Sequence, residues 1–356
     1  MTQLLSGGSA TDPTKAEPGP AGQRLGIAGV AARLFVSVGA LPILLVIALV
    51  VFSSLSPAFF TVENLQTGLR QYSFVAIVVL AQFVVLVAGG FDLSVGAITA
   101  LVSVASATAM ADRLAAGSSP STAILVGVLV GLLTGVGAGA VNALGVGLLH
   151  INPFIMTLAT ASVFTGVALK VTGGLPVSGL PPEFSDLFGY SAWWGIATPV
   201  WIAAGAALSL WALLRWTTPG RSIYAVGSNP HAARLSGISP GRTMALAYVT
   251  SGLLVSVGAL LLTARLQTGE ANIGADLPLQ TIAAAVIGGV SLRGGSGNVL
   301  NAVLGAIFIG VVTNGMNLAR IESYYEMIVL GVVLAVAVVA DRLRSRLAAS
   351  LLKGNT

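Results

Sequence analysis

The chain has 356 residues, of which 55% are hydrophobic and 8% charged, with a formal net charge of +5. An average soluble domain carries about 25% charged residues, so this chain cannot cover a globule with polar surface and most of its exterior faces lipid. It has no cysteine, which excludes disulfides and thiolate metal sites, and its basic residues are dispersed among apolar blocks, which argues against a nucleic-acid footprint.

Residues 1–30 differ from the rest, with Ser6-Gly7-Gly8-Ser9, Asp12-Pro13 and Glu17-Pro18-Gly19-Pro20. Such a segment buries too little apolar surface to offset its ordering entropy and reads as a disordered cytoplasmic tail. It is not a cleaved signal peptide, because the apolar block after Arg33 exceeds an h-region and more spans follow.

The membrane domain runs over 31–345, ahead of a second cytoplasmic tail, 346–356. Crossing a hydrocarbon core of about 30 Å takes about 20 helical residues. Leu34–Val62, Gln71–Phe91, Leu93–Ala111, Leu187–Leu214, Thr243–Ala264 and Gly294–Ala319 contain no Asp, Glu, Lys or Arg. Leu114–Leu169 is also free of them and is long enough for two spans; Leu277–Leu292 and Met327–Ala340 are shorter and need flanking residues. Long runs without the alternation of barrel strands predict helices, because only helices or closed barrels satisfy their backbone in lipid. The expectation is an all-α polytopic bundle of about ten helices with broken or re-entrant elements.

With the amino terminus in the cytoplasm, ten helices put Lys15, Arg24, Arg33, Arg215, Arg221, Arg234, Arg242, Arg293, Arg342, Arg344, Arg346 and Lys353 inside, against Arg70, Arg113, Lys170, Arg265 and Arg320 outside. This bias follows the positive-inside rule. The connection 172–197 is then exterior, its Trp193 and Trp194 suiting the interface belt, and 217–242 is cytoplasmic.

Catalytic residues are scarce. His150 and His231 stand in separate loops without an acid or second His at ligand spacing. Lysines occur only before Ala16, Val171 and Gly354, so no phosphate-binding Walker lysine exists. The expectation is a transport subunit that is not an enzyme and holds no cofactor of its own.

In Gly220–Gly237, Asn229 is a good N-cap, Pro230 suits the first helical position and Gly237 suits the C′ position. The predicted helix of about two turns is too short to stand alone in water. It has two readings, a docking element for a partner or a capped helix on the membrane surface.

The stretch Tyr224-Ala225-Val226-Gly227-Ser228-Asn229-Pro230-x-Ala232-Ala233-Arg234-Leu235-Ser236-Gly237 resembles the loop by which ATP-binding-cassette importer permeases engage their ATPase subunits, in its ribose/xylose-type branch. His231 stands where the general pattern has Glu, a departure common in that branch. Gly89-Gly90-Phe91-Asp92-Leu93-Ser94-Val95-Gly96, Asn152–Thr160 and Gly288–Gly297 resemble the same family, in family order. The resemblance implies two permease subunits, identical or related, forming a pathway in a bacterial inner membrane. It also implies an ABC ATPase that uses the ATP, docked on Asn229, Pro230, His231, Ala232, Ala233, Arg234 and Gly237, and an external, periplasmic binding protein that delivers a sugar. Branched-chain amino-acid and nucleoside permeases share the superfamily, and an ion-coupled secondary transporter relaying through Asp92 is the alternative of another class.

In or beside these blocks lie the expected substrate-pathway residues Phe91, Asp92, Ser94, Asn152, Phe154, Thr157 and Asn298. Asp92 has two readings. A carboxylate inside a membrane is costly and must face protein or water, with the surrounding glycines permitting a broken helix; alternatively Asp92 caps a helix beginning at Leu93 by accepting from Ser94 or Val95 N–H. Gly89-Gly90-x-x-Leu93 recurs as Gly288-Gly289-x-x-Leu292, an internal echo of the kind found in transporters. Gln82, Thr99, Asn142, Thr160, Asn301, Asn314 and Asn317 add neutral hydrogen-bonding groups, serving either a sugar or contacts between helices.

Overall fold

The computed structural model describes residues 41–339 except 323 and 337. The two expected tails lie outside the described residues, as do Lys15, Arg24, Arg33 and the basic group Arg342, Arg344 and Arg346.

Each of the ten apolar segments carries a helix: α1 (Leu41–Leu55), α2 (Val62–Val87), α3 (Val95–Ala115), α4 (Pro120–Asn142, continued by a π-helical turn Ala143–Leu148), α5 (Pro153–Thr172), then, after a four-residue α6 (Pro182–Ser185), α7 (Thr198–Trp216), and, after two short loop helices, α10 (Pro240–Leu266), α11 (Leu277–Ile287), α12 (Val299–Leu318) and α13 (Tyr324–Val336). The loop helices are α8 (Thr218–Ser228) and α9 (Pro230–Leu235). Among the described residues, seven of the ten are long and apolar enough to cross a membrane, and α1, α11 and α13 are shorter over the residues described. With 11 residues, α11 reaches about 16 Å, roughly half a hydrocarbon core. By itself it covers only part of the core, as the expected broken element does.

The helix starts follow from local chemistry. Ser119, Asn152, Thr217, Asn229, Ser239 and Asn298 each accept a hydrogen bond from a backbone N–H one turn on, and proline occupies the first or second position of α4, α5, α7, α8, α9, α10 and α11. These are the positions where a missing N–H costs nothing. Between α6 and α7, Trp193↔Ile196 closes a two-stranded hairpin through Trp194 and Gly195, both at positive φ, as a two-residue primed turn requires.

Four helices, α2, α3, α10 and α12, form the centre, each with at least 67% of its membrane-length window buried. The membrane-length windows of α2 and α10 are 78% and 67% buried, whereas α5 and α7 are 22% and 17% buried and present apolar side chains outward. α4 meets its neighbours through Gly127, Gly131, Gly135 and Gly139, one every fourth residue. A side chain at these positions would strike Met110 and Ser106 of α3 or Ser256 and the backbone of Gly252 and Tyr248 on α10. Small residues at this spacing let helix backbones touch in lipid, where apolar burial alone gives helices no preference for one another.

Candidate functional site

The link between α2 and α3 is packed inside the bundle. Asp92 meets Ser251, which stands three turns into α10, and Ser94 reaches Asn142 near the end of α4. The Asp92 carboxylate accepts from the Ser94 backbone N–H (2.9 Å), the Ser94 hydroxyl (2.5 Å) and the Ser251 hydroxyl (3.4 Å). The Ser94 hydroxyl in turn accepts from Asn142 Nδ2 (2.8 Å), and Asn142 Oδ1 accepts from the Thr160 hydroxyl (2.7 Å). All five side chains are buried. Every donor in this chain points toward Asp92, an order in which each hydrogen bond polarises the next. Beside it the Tyr248 hydroxyl donates to the Phe91 carbonyl at 2.6 Å.

Both readings of Asp92 therefore have a structural counterpart. It accepts from Ser94 N–H, as the cap reading requires, but α3 begins at Val95 and not at Leu93. It also faces protein, tying α3, α4, α5 and α10 together, as a carboxylate surrounded by apolar helices must.

The internal echo is structural as well. Gly89 and Gly289 both sit at positive φ; Gly89 N–H donates to Leu86 and Gly90 N–H to Val85, while Gly289 N–H donates to Val286 and Val290 N–H to Ala285. These are two Schellman closures in the same register. They lie close to one another: Gly295 N–H, in the loop after the second closure, donates to the Val87 carbonyl at 2.8 Å. α8 joins them through Gly227, where a β-carbon would collide with the Val87 carbonyl oxygen and crowd Gly295 N. Tyr224, one turn earlier on α8, donates to the Gly297 carbonyl (3.1 Å), and burial raises the pKa of its phenol above the ordinary range, keeping it a donor.

α8 runs directly into α9. Asn229 Oδ1 accepts from His231 and Ala232 N–H (both 3.0 Å), Pro230 opens the helix, and Gly237 at φ +81 closes it with bonds from Gly237 N–H to Arg234 and Ile238 N–H to Ala233. Ala233, expected to meet a partner, is 3% exposed and packs into its own chain; a helix this short turns only one narrow face outward. His231, Ala232 and Arg234 are exposed, and Leu235 is 78% exposed. Leu235 is thus an exposed apolar side chain beside the C-terminal cap, at a position that no local pattern in the sequence marks.

The remaining expected residues do not converge on Asp92. Asn152 and Asn298 are exposed caps of α5 and α12, accepting from Phe154 N–H (3.0 Å) and Leu300 N–H (2.8 Å). The Phe154 ring is exposed on α5, and the buried Thr157 hydroxyl donates to the Pro153 carbonyl. Gln82 is buried on α2 without a hydrogen-bond partner among the described residues. Ser251 and Tyr248, both in contact with the link, lie within an apolar span where nothing local distinguishes them.

Seven membrane-length apolar helices packed around a buried polar chain define a polytopic helical membrane protein. The chain matches the family described as branched-chain amino acid transport system / permease component over residues 64–338, and it belongs to that family. It is 38% identical over 305 residues to the ribose import permease protein of Escherichia coli K12, covering 84% of this chain and 92% of that one. It is 37% identical over 302 residues to the ribose import permease protein of Bacillus subtilis (85% and 91%), and 36% identical over 306 residues to the D-allose transport system permease protein of E. coli K12 (85% and 91%). No solved structure matches the chain. The protein is a multi-pass membrane permease subunit of an ATP-binding-cassette importer, in the ribose-type branch.

Proposed function

We propose that this subunit carries a ribose-like monosaccharide across a bacterial cytoplasmic membrane, with both of its termini inside, and that the energy comes from ATP hydrolysed by a separate subunit docked on α9. The observation that carries the cargo assignment is 38% identity to a ribose import permease across 92% of that protein. An external binding protein presents the sugar, and a second permease subunit, identical or related, completes the pathway. The chain itself needs no cofactor.

The docked face of α9 is His231, Ala232, Arg234 and above all Leu235, which supplies the apolar anchor that interface centres favour. Movement of α9 passes through α8 to Gly227, whose backbone lies against Val87 and Gly89 at the first closure and against Gly294 and Gly295 in the loop that follows the second. The first closure leads into Asp92 and the second ends α11 and leads toward α12, so a displacement at the docking face rearranges the links between spans. Phe91, Asp92, Ser94, Asn142 and Thr160 form the hinge of this movement, while Phe154, Thr157 and the cap Asn152 border the route taken by the sugar.

Reconstitution of the permease with its ATPase and binding protein in proteoliposomes tests the reading. Labelled ribose is expected to enter only with ATP, and to do so equally after ionophores dissipate the proton and sodium gradients. ATP-independent uptake abolished by the ionophores would replace this mechanism with an ion-coupled one. ATP-driven uptake of leucine in place of ribose would move the cargo to amino acids.

A further inference from the structure

Between the last turns of α7, the body of α8 and the start of α12 lies a cavity of about 650 Å³. Arg215 and Arg221 line it, with Trp211, Leu214, Tyr224 and Asn298, and no carboxylate lines it among the described residues. None is near in sequence either, because no Asp or Glu occurs between Asp186 and Glu270. Both arginines are exposed, so their charges are available to a ligand. Asn298 caps the first turn of the 20-residue α12, adding the positive end of that helix to the same cavity.

The aromatic residues fix the level of the cavity. Trp211 and Trp216 stand one turn apart with rings 4.8 Å from centroid to centroid, both exposed at the polar end of a membrane-length helix. Amphipathic rings at such a position sit at the headgroup layer. Guanidinium forks match phosphate oxygens bidentately, and Leu214 and Val299 give the cavity an apolar side suited to a glycerol backbone.

We infer that this cavity binds the phosphate of an anionic phospholipid, with Arg215 and Arg221 as its cationic arms and Trp211 packing on the lipid beneath. Binding itself does not depend on the importer reading. A headgroup seated here spans α7, α8 and α12, and so braces the helix that leads into α9.

The test uses the full-length chain with Trp193, Trp194 and Trp201 replaced by phenylalanine, so that Trp211 and Trp216 report. It is reconstituted in phosphatidylcholine vesicles containing either dibrominated phosphatidylglycerol or dibrominated phosphatidylcholine. Two cations at a membrane surface, at about 1 kcal/mol each, favour an anionic lipid by about thirtyfold, so half-maximal quenching is expected at about a thirtyfold lower mole fraction of the brominated phosphatidylglycerol. R215Q/R221Q is expected to bring the two lipids to parity, and R215K/R221K, which preserves the charge and serves as the folding control by its elution profile, to keep most of the preference. Equal quenching by the two lipids in the parent chain, or an undiminished preference in R215Q/R221Q, overturns the inference. Relief of quenching by millimolar inorganic phosphate overturns the lipid assignment and gives the cavity to a free anion.

Discussion

Gly227 and Val87 meet backbone to backbone: no β-carbon fits on Gly227 beside the Val87 carbonyl oxygen, and that oxygen accepts the Gly295 N–H at 2.8 Å. The loop helix α8 is thereby locked to the end of α2 and to the loop between α11 and α12 at once. Overpacking such a contact costs about 1–3 kcal/mol, so Gly227→Ala is expected to insert and to bind the ATPase subunit while losing sugar-stimulated ATP hydrolysis and transport together. Unimpaired stimulation in that variant removes Gly227 from the coupling route.

Asp92 holds the acceptor end of the chain from Thr160 through Asn142 and Ser94. Hydrogen bonds to a charged group contribute about 1.5–3 kcal/mol, and the Ser94 bond at 2.5 Å is far shorter than the Ser251 bond at 3.4 Å. Thermal unfolding in detergent should rank Asp92→Ala as most destabilised, Ser94→Ala next and Ser251→Ala least. Asp92→Ala should still insert but take up less sugar. Wild-type uptake and an unchanged Tm in Asp92→Ala would reduce the chain to bystander contacts.

At α9, Leu235→Asp places a charge on the exposed apolar anchor without touching the core, and is expected to release the ATPase subunit during purification. Gly237→Asp acts differently: no atom lies within 4 Å of an added β-carbon there, so its effect comes from the φ of +81 and the new charge. A left-handed conformation costs a non-glycine residue about 1–2 kcal/mol, enough to loosen the C-terminal cap. Ala233→Trp overfills the chain's own packing, so it should lower the Tm as well as transport. Retention of the ATPase by both Leu235→Asp and Gly237→Asp would make α9 an ordinary surface helix.

Membrane orientation is checked by reporter fusions. A reporter after Thr217 and one after Arg346 are expected in the cytoplasm, and one within Pro181–Asp186 outside. Finding the Thr217 and Pro181–Asp186 reporters on one side rules out the orientation on which α9 reaches an ATPase.

Much of this molecule was decided by its sequence at short range. Lipid residence follows from apolar runs longer than a bilayer needs, and the ends of α9 follow from Asn229, Pro230 and Gly237, because a cap is a matter of residues three or four positions apart. That Gly127, Gly131, Gly135 and Gly139 form a close-packing face emerged only from the structure, which shows what each one meets. What depended on the tertiary structure was every pairing between distant segments: Asp92 with Ser251, Ser94 with Asn142, Gly227 with Val87, and the inward turn of Ala233 that leaves Leu235 outside. Hydropathy is nearly uniform around these helices, so no apolar stripe marks which face turns toward which neighbour. That choice falls to backbone approach at small residues and to a few buried hydrogen bonds, and both are properties of the assembled bundle.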